Sequence, residues 1–198
     1  MAKLGRMMTG GDAGNRQAED FYSTPAECVH ALVGAEHRRL RLFPKIWEPA
    51  CGVGAICDVL AEHNMEFYAS DIVNRGYTWQ EETIDFLKCT TAPSRAIITN
   101  PPFNLAEAFI RHAKELEIEY MALLLKSAFW HAAKRQSIFN MWVPARVYAM
   151  TWRPDFLAKG APTMDCMWCV WDGREPDVTT YHLLNRKTSS RLETIDDL

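Results

Sequence analysis

From residue 25 onward, apolar and polar positions alternate in two kinds of block, one with helical spacing and one short and apolar. Residues 25–40 carry the helical period, with Thr24 placed as an N-cap and Pro25 at the first helical position. Residues 45–48 read as a short strand, and 53–63 as a helix opened by Gly52 and Gly54. A second strand is expected over 66–70, a third over 95–99, and an amphipathic helix over 105–116. The run 120–125 is apolar throughout, as in a central strand buried on both faces. Helical spacing returns over 128–142, and 146–151, 164–171 and 178–184 read as the last strands. Strands alternating with helices predict an α/β fold with a doubly wound, mostly parallel sheet of seven strands. No helical pattern separates 151 from 164, so the late strands are expected to include an antiparallel C-terminal hairpin. The chain divides into a polar tail over 1–20 expected to be flexible, one domain over 21–185, and a polar tail over 186–198.

This pattern puts chemistry at strand ends. Asn100-Pro101-Pro102-Phe103 follows the third strand and precedes a helix, and in an open α/β sheet ligands bind at that edge. Two successive prolines donate no backbone hydrogen bond and hold φ near −65°. The stiff turn presents the Asn100 amide, the Pro101 carbonyl and the flat face of Phe103, a set that suits a planar heterocycle carrying an amino group. The plain alternative is an ordinary Pro-rich loop. Glu48-Pro49-Ala50-Cys51-Gly52-Val53-Gly54 lies where the first strand meets its helix, and its glycines permit a tight turn against a ligand. Cys57 stands where a dinucleotide fingerprint has its third small residue, so that fingerprint is not met. Asp71 closes the second strand, where an acid can accept from both hydroxyls of a ribose or simply stabilise a turn. Asp85, ahead of Phe86, can take an amino group while Phe86 or Ile72 packs on a ring, or can cap a short surface helix.

Composition narrows this picture by exclusion. The 198 residues carry a net charge of −3, so no global charge advertises a polyanion partner. The stretch 126–165 is locally basic, with Lys126, Lys134, Arg135, Arg146, Arg153 and Lys159 against Asp155 and Asp165. Of these, Lys126, Lys134, Arg135 and Arg153 are the candidates to meet phosphates, and Trp152 beside Arg153 is the tryptophan best placed to meet a base. No apolar run approaches the about 18 residues of a membrane span, and the N-terminus lacks a signal-peptide pattern, so a cytoplasmic protein without membrane contact is expected. The six cysteines include one CxxC pair, Cys166 and Cys169, inside a strand-like run with no second pair or histidine ligands, and no metal site is expected.

In their order, these motifs resemble the class I S-adenosylmethionine-dependent methyltransferases, with the match running from about Tyr22 to Trp171. The resemblance implies a Rossmann-like methyltransferase sheet and S-adenosyl-L-methionine as cofactor. It implies cofactor contacts at Glu48, Pro49, Ala50, Gly52, Gly54, Asp71, Ile72, Asp85, Phe86 and Asn100. Asn100-Pro101-Pro102-Phe103 looks like the catalytic motif of the amino-methylating branch, which includes enzymes acting on DNA adenine, on RNA and on the glutamine of release factors. Tyr22-Ser23-Thr24-Pro25 resembles an element of phage-type DNA adenine-N6 methyltransferases that closes over the methionine end of the cofactor, with Tyr22, Thr24 and Pro25 in contact. The leading expectation is methyl transfer to the N6 amine of adenine in DNA. The alternatives are an RNA N-methyltransferase, a protein glutamine methyltransferase and a non-catalytic cofactor-binding subunit. Only a few dozen residues follow the catalytic core. Target recognition is therefore expected from loops, a homodimer or a partner subunit.

Overall fold

The computed structural model describes residues 22–160, 162–175 and 178–186; the tail at 1–20 and nearly all of that at 186–198 lie outside them. The elements are α1 (Ala26–Leu40), β1 (Ile46–Glu48), α2 (Ala55–Glu62), β2 (Phe67–Asp71), β3 (Gln80–Thr83), β4 (Ala96–Thr99), α3 (Ala106–Glu115), β5 (Tyr120–Lys126), α4 (Gln136–Met141), β6 (Arg146–Met150), β7 (Cys166–Asp172) and β8 (Thr180–Leu184). They form one sheet of order β3-β2-β1-β4-β5-β7-β6-β8. Strands β3, β2, β1, β4 and β5 run parallel, and β7 is antiparallel to both β5 and β6.

The expected mostly parallel α/β sheet is therefore present, but with eight strands rather than seven. The added strand, β3, reads Gln-Glu-Glu-Thr and is almost wholly exposed, so no apolar alternation announces it. Backbone pairing to β2 holds it, helped by Tyr68 Oη donating to Glu82 at 3.0 Å. The antiparallel pair is β6 with β7, and β7 inserts between β5 and β6. Strand β8 then runs parallel to β6 at the far edge. The helix expected over 128–142 is broken into 3-10 turns at Ser127–Trp130 and Ala133–Arg135 and the short α4. Tertiary contacts override its helical spacing: the Trp130 and Phe139 rings stack at 4.6 Å, and the Arg135 guanidinium lies 4.2 Å from the Phe129 ring centre.

Strand β5 shows why its run is continuously apolar. Tyr120, Ala122 and Leu124 face the layer holding Val29, Leu32 and Leu60 of α1 and α2. Met121, Leu123 and Leu125 face the opposite layer, with Phe109 and Ile110 of α3. Each buried leucine, methionine or phenylalanine here contributes about 1.5–3 kcal/mol by leaving water. Cys166 and Cys169 are buried in the same sheet, and among the described residues no His, Cys, Asp and Glu side chains are grouped to hold a metal ion. No described helix is long and apolar enough to cross a membrane.

One polar network crosses this core. Asp172, at the end of β7, accepts from Arg39 Nε and Nη2 of α1 at 2.7 and 2.8 Å and from Arg146 Nη2 of β6 at 3.2 Å. Arg146 also donates to Glu36 of α1 at 2.6 and 3.0 Å, and Tyr148 Oη donates to the same carboxylate. Helix α1 is thus fixed to the sheet by charge-assisted bonds, which anchors the segment Tyr22–Pro25 that enters it.

Candidate active site

The C-terminal ends of the parallel strands converge on a cleft of about 640 Å³. Glu48 closes β1, Asp71 closes β2, Asp85 lies just beyond β3, and Asn100 follows β4. These residues line the cleft together with Tyr22, Thr24, Pro49, Ala50, Ile72, Phe86, Pro101, Pro102 and Phe103. Pro25, Gly52 and Gly54 do not line it, and neither do Lys126, Lys134, Arg135 or Arg153. Ala55, Ile56, Val73, Arg75, Asn104, Leu105 and Phe109 also line it, outside the motifs read from the sequence. Of these, Phe109 carried a signal: it lies on the apolar face of α3 that must face the sheet.

The glycines act by shaping the turn. Gly52 and Gly54 have φ of 57° and 88°, in the left-handed region where a side chain is strained. The Gly52 N–H donates to Asp71 Oδ2 at 2.8 Å, and Asp71 Oδ1 accepts from the Val73 N–H at 2.9 Å. One carboxylate therefore clamps the turns after β1 and β2 to each other, and each oxygen keeps a lone pair for a ligand hydroxyl. A Cβ on Gly54 would overlap the Tyr77 ring, whose hydroxyl is held by Asp58 at 3.0 Å. The expected result of Gly54→Ala is a lower melting temperature, by several degrees, since left-handed strain alone costs about 1 kcal/mol. Thermal unfolding of the full chain checks this; an unchanged midpoint would contradict both the left-handed strain and the close approach of Tyr77.

Glu48 is buried, and its Oε1 accepts from the Ala50 N–H at 3.0 Å. Its Oε2 is buried beside the Thr99 hydroxyl. Burial pushes the Glu48 carboxyl up to about 8 from an ordinary value of 4.5; the neighbouring Thr99 hydroxyl and the Ala50 N–H moderate the rise, and the Asp71 charge adds to it. A raised carboxyl is most stably buried below its ordinary pKa, and that stability is lost as pH rises toward 8. Glu48→Gln is therefore expected to melt higher than the wild type by a margin that grows from pH 5 to pH 8. Melting curves at the two pH values check it; a constant offset would contradict it.

Asp85 accepts from the Leu87 N–H at 3.1 Å and pairs with Lys88 at 3.3 Å, so it caps a 3-10 turn while bordering the cleft. Phe86 is 3% exposed and packs edge-on to Trp47, whereas Ile72 is 61% exposed; Ile72 is the apolar surface free to meet a ring. Cys51 also borders the cleft, but burial pushes its thiol up to about 12, which leaves it a weak nucleophile.

The opposite wall is the Asn100-Pro101-Pro102-Phe103 turn, held by the N-terminal segment. Asn100 Nδ2 donates to the Tyr22 carbonyl and to Thr24 Oγ1, each at 3.1 Å. Thr24 does not cap α1: the N-cap is Pro25, with no side-chain capping bond, and the Thr24 hydroxyl serves Asn100 instead. The Tyr22 ring stacks on Phe103 at 6.3 Å, and Lys126 Nζ stands 4.5 Å over the Phe103 ring. Arg135 donates to the Phe129 carbonyl at 2.7 Å, and Arg153 pairs with Asp165 at 2.7 Å. Lys134 is exposed. Trp152 packs partly buried against the core.

No protein-family model matches the sequence, and no curated protein matches it either. Solved structures do match. A Pyrococcus horikoshii protein described as a candidate RNA methyltransferase superposes with a TM-score of 0.59 at 11% identity, covering 76% of this chain and 85% of that one. The modification subunit of a candidate type I restriction enzyme from Vibrio vulnificus gives 0.59 at 13% identity, covering 86% of this chain and 48% of that one. Magnesium protoporphyrin IX methyltransferase from Synechocystis, solved with bound S-adenosylmethionine, gives 0.51 at 18% identity, covering 74% and 79%. The fold is that of the Rossmann-like methyltransferases. Identity this low establishes the architecture, and the chemistry rests on the residues in the cleft.

Proposed function

We propose that this chain transfers a methyl group from S-adenosyl-L-methionine to the exocyclic N6 amine of adenine in DNA. The observation that carries the reading is that the turn after β4, with its amide, carbonyl and ring, opens into the same cleft as the acids ending β1 and β2. The residues fit the cofactor's chemistry. Glu48 lines the cleft at the end of β1, where its carboxyl suits a cationic group such as the methionine ammonium; Asp71 retains acceptor capacity for ribose hydroxyls, and Ile72 and Asp85 suit an adenine. When bound, the cofactor supplies a methyl group already activated by its positive sulfur.

The protein's task is then positioning. The exocyclic amine of adenine is a weak nucleophile because its lone pair is delocalised into the ring. The Asn100 oxygen and the Pro101 carbonyl accept hydrogen bonds from its two N–H groups and draw the nitrogen toward a pyramidal shape, with the lone pair aimed at the methyl group; the proton displaced by the new N–C bond leaves to solvent. Phe103 stacks on a base flipped from the duplex and offsets part of the unstacking cost. Lys126, now over that ring, yields its place to the base and turns to a phosphate. The loops after β5 and β6 emerge at the same sheet edge and carry Lys134 and Arg153. These loops, a second copy of the chain or a partner subunit provide target recognition, in a cytoplasmic setting. Transfer to an RNA amine is the second reading, because Asn100-Pro101-Pro102-Phe103 also resembles the motif of RNA N-methyltransferases.

The test is incubation of the full chain with labelled S-adenosylmethionine and, separately, duplex DNA, single-stranded DNA and RNA, followed by nucleoside mass spectrometry. N6-methyladenine in DNA is the expected product. Label confined to RNA would replace the leading reading with the second, and no label on any of the three would remove both.

A further inference from the structure

Asn100 lies on the turn that receives the acceptor, and its side chain has a polarity problem that its shape does not solve. The two ends of a primary amide have nearly the same size, but one accepts and the other donates. If the amide turned over, the site would present hydrogens where the reaction needs a lone pair. The two acceptors around Nδ2, the Tyr22 carbonyl and Thr24 Oγ1, take one hydrogen each. The Tyr22 carbonyl cannot donate, so the reversed amide would set oxygen against oxygen. Thr24 takes the second hydrogen, which would otherwise point free. Thr24 is 6% exposed, and the segment is anchored through α1 by the Arg39–Asp172 and Arg146–Glu36 pairs.

We propose that Thr24 is a positioning residue for methyl transfer: its hydroxyl, acting with the Tyr22 carbonyl, fixes the Asn100 amide with its oxygen toward the methyl acceptor. The inference rests on the functional reading above and deepens it, because a site that offers only an acceptor there selects a nucleophile that carries hydrogen. It also assigns Thr24 a role apart from the cofactor.

The test compares wild type, Thr24→Val and Thr24→Ser as full chains. Valine keeps the branched shape and removes the acceptor, while serine keeps the acceptor. The first readout needs neither cofactor nor substrate: the side-chain amide resonances of Asn100 in 15N-labelled protein. One of the two N–H signals is expected to shift and exchange faster in Thr24→Val, and to return toward wild type in Thr24→Ser. The second readout is the methyl-transfer rate at saturating cofactor, expected to fall about 10-fold in Thr24→Val with cofactor affinity unchanged, and to recover in Thr24→Ser.

Amide signals that are identical in wild type and Thr24→Val would overturn the inference whatever the activity. Shifted signals with an undiminished rate would overturn it as well. A loss confined to cofactor affinity would assign Thr24 to the cofactor and overturn it too. These results, obtained with an active wild type, sink this inference alone. A wild type that methylates no nucleic acid sinks the functional reading, and the role in transfer goes with it.

Discussion

Asn100→Ala is expected to lower the methyl-transfer rate about 100- to 1,000-fold, the range for removing one preorganised polar group from a reacting centre, while S-adenosylmethionine binds within about twofold of wild type. The split follows from the geometry. Asn100 follows β4 on the wall of the cleft held by Tyr22 and Thr24, whereas Glu48 and Asp71 end β1 and β2 on the other. Asp71→Ala is expected to do the reverse and weaken the cofactor. It also leaves the Gly52 and Val73 N–H groups without their acceptor, which loosens the turn beside the ligand. Single-turnover rates and equilibrium titrations on both variants separate the two effects. Near-normal transfer by Asn100→Ala would sink the mechanism.

Asp172→Ala is expected to cost about 3–5 kcal/mol of stability at neutral pH, because removing one partner leaves buried charge uncompensated. The Asp172 side chain is fully buried and accepts from both Arg39 and Arg146. Glu36 still serves Arg146 in the variant, but the Arg39 Nε and Nη2 bonds are lost. Burial pushes the Asp172 carboxyl up, but hydrogen bonds from Arg39, the Arg174 N–H and Arg146 outweigh it and hold the group below its ordinary value. A depressed carboxyl contributes stability above its unfolded pKa and loses it as pH falls through the folded value. Wild type should therefore lose its advantage over Asp172→Ala in strong acid. Denaturant unfolding at neutral and acid pH tests this, and equal midpoints at neutral pH would contradict it. Because α1 leads directly from Thr24, the same substitution should loosen the wall that holds Asn100.

Much of this arrangement is legible in the sequence because strand ends announce themselves. Apolar runs at 95–99 and 120–125 set two central strands, and the residues that follow them must emerge at one edge. That logic brings Glu48, Asp71 and Asn100 to the cleft, whereas Asp85, which follows the unannounced β3, is marked only by standing ahead of Phe86. Where tertiary contact decides, the pattern misleads. Strand β3 is polar and held by backbone pairing, so periodicity does not reveal it. The stretch 128–142 has helical spacing, but aromatic stacking between Trp130 and Phe139 folds it into shorter pieces. Thr24 has the local signature of a helix cap, yet a partner 76 positions away takes its hydroxyl. Phe86 matched a ring-packing role by position, but it is mainly core, where Trp47 and Phe109 enclose it. Arg135 looks like a free cation in sequence, and in the fold it is spent on the Phe129 carbonyl and ring.

The most direct measurement of the central claim is calorimetric titration of S-adenosylmethionine into the full chain, beside Asp71→Ala and Asn100→Ala. One cofactor per chain is predicted, with binding retained in Asn100→Ala and lost or much weakened in Asp71→Ala. No binding to the wild-type chain, or binding indifferent to Asp71, would contradict the account.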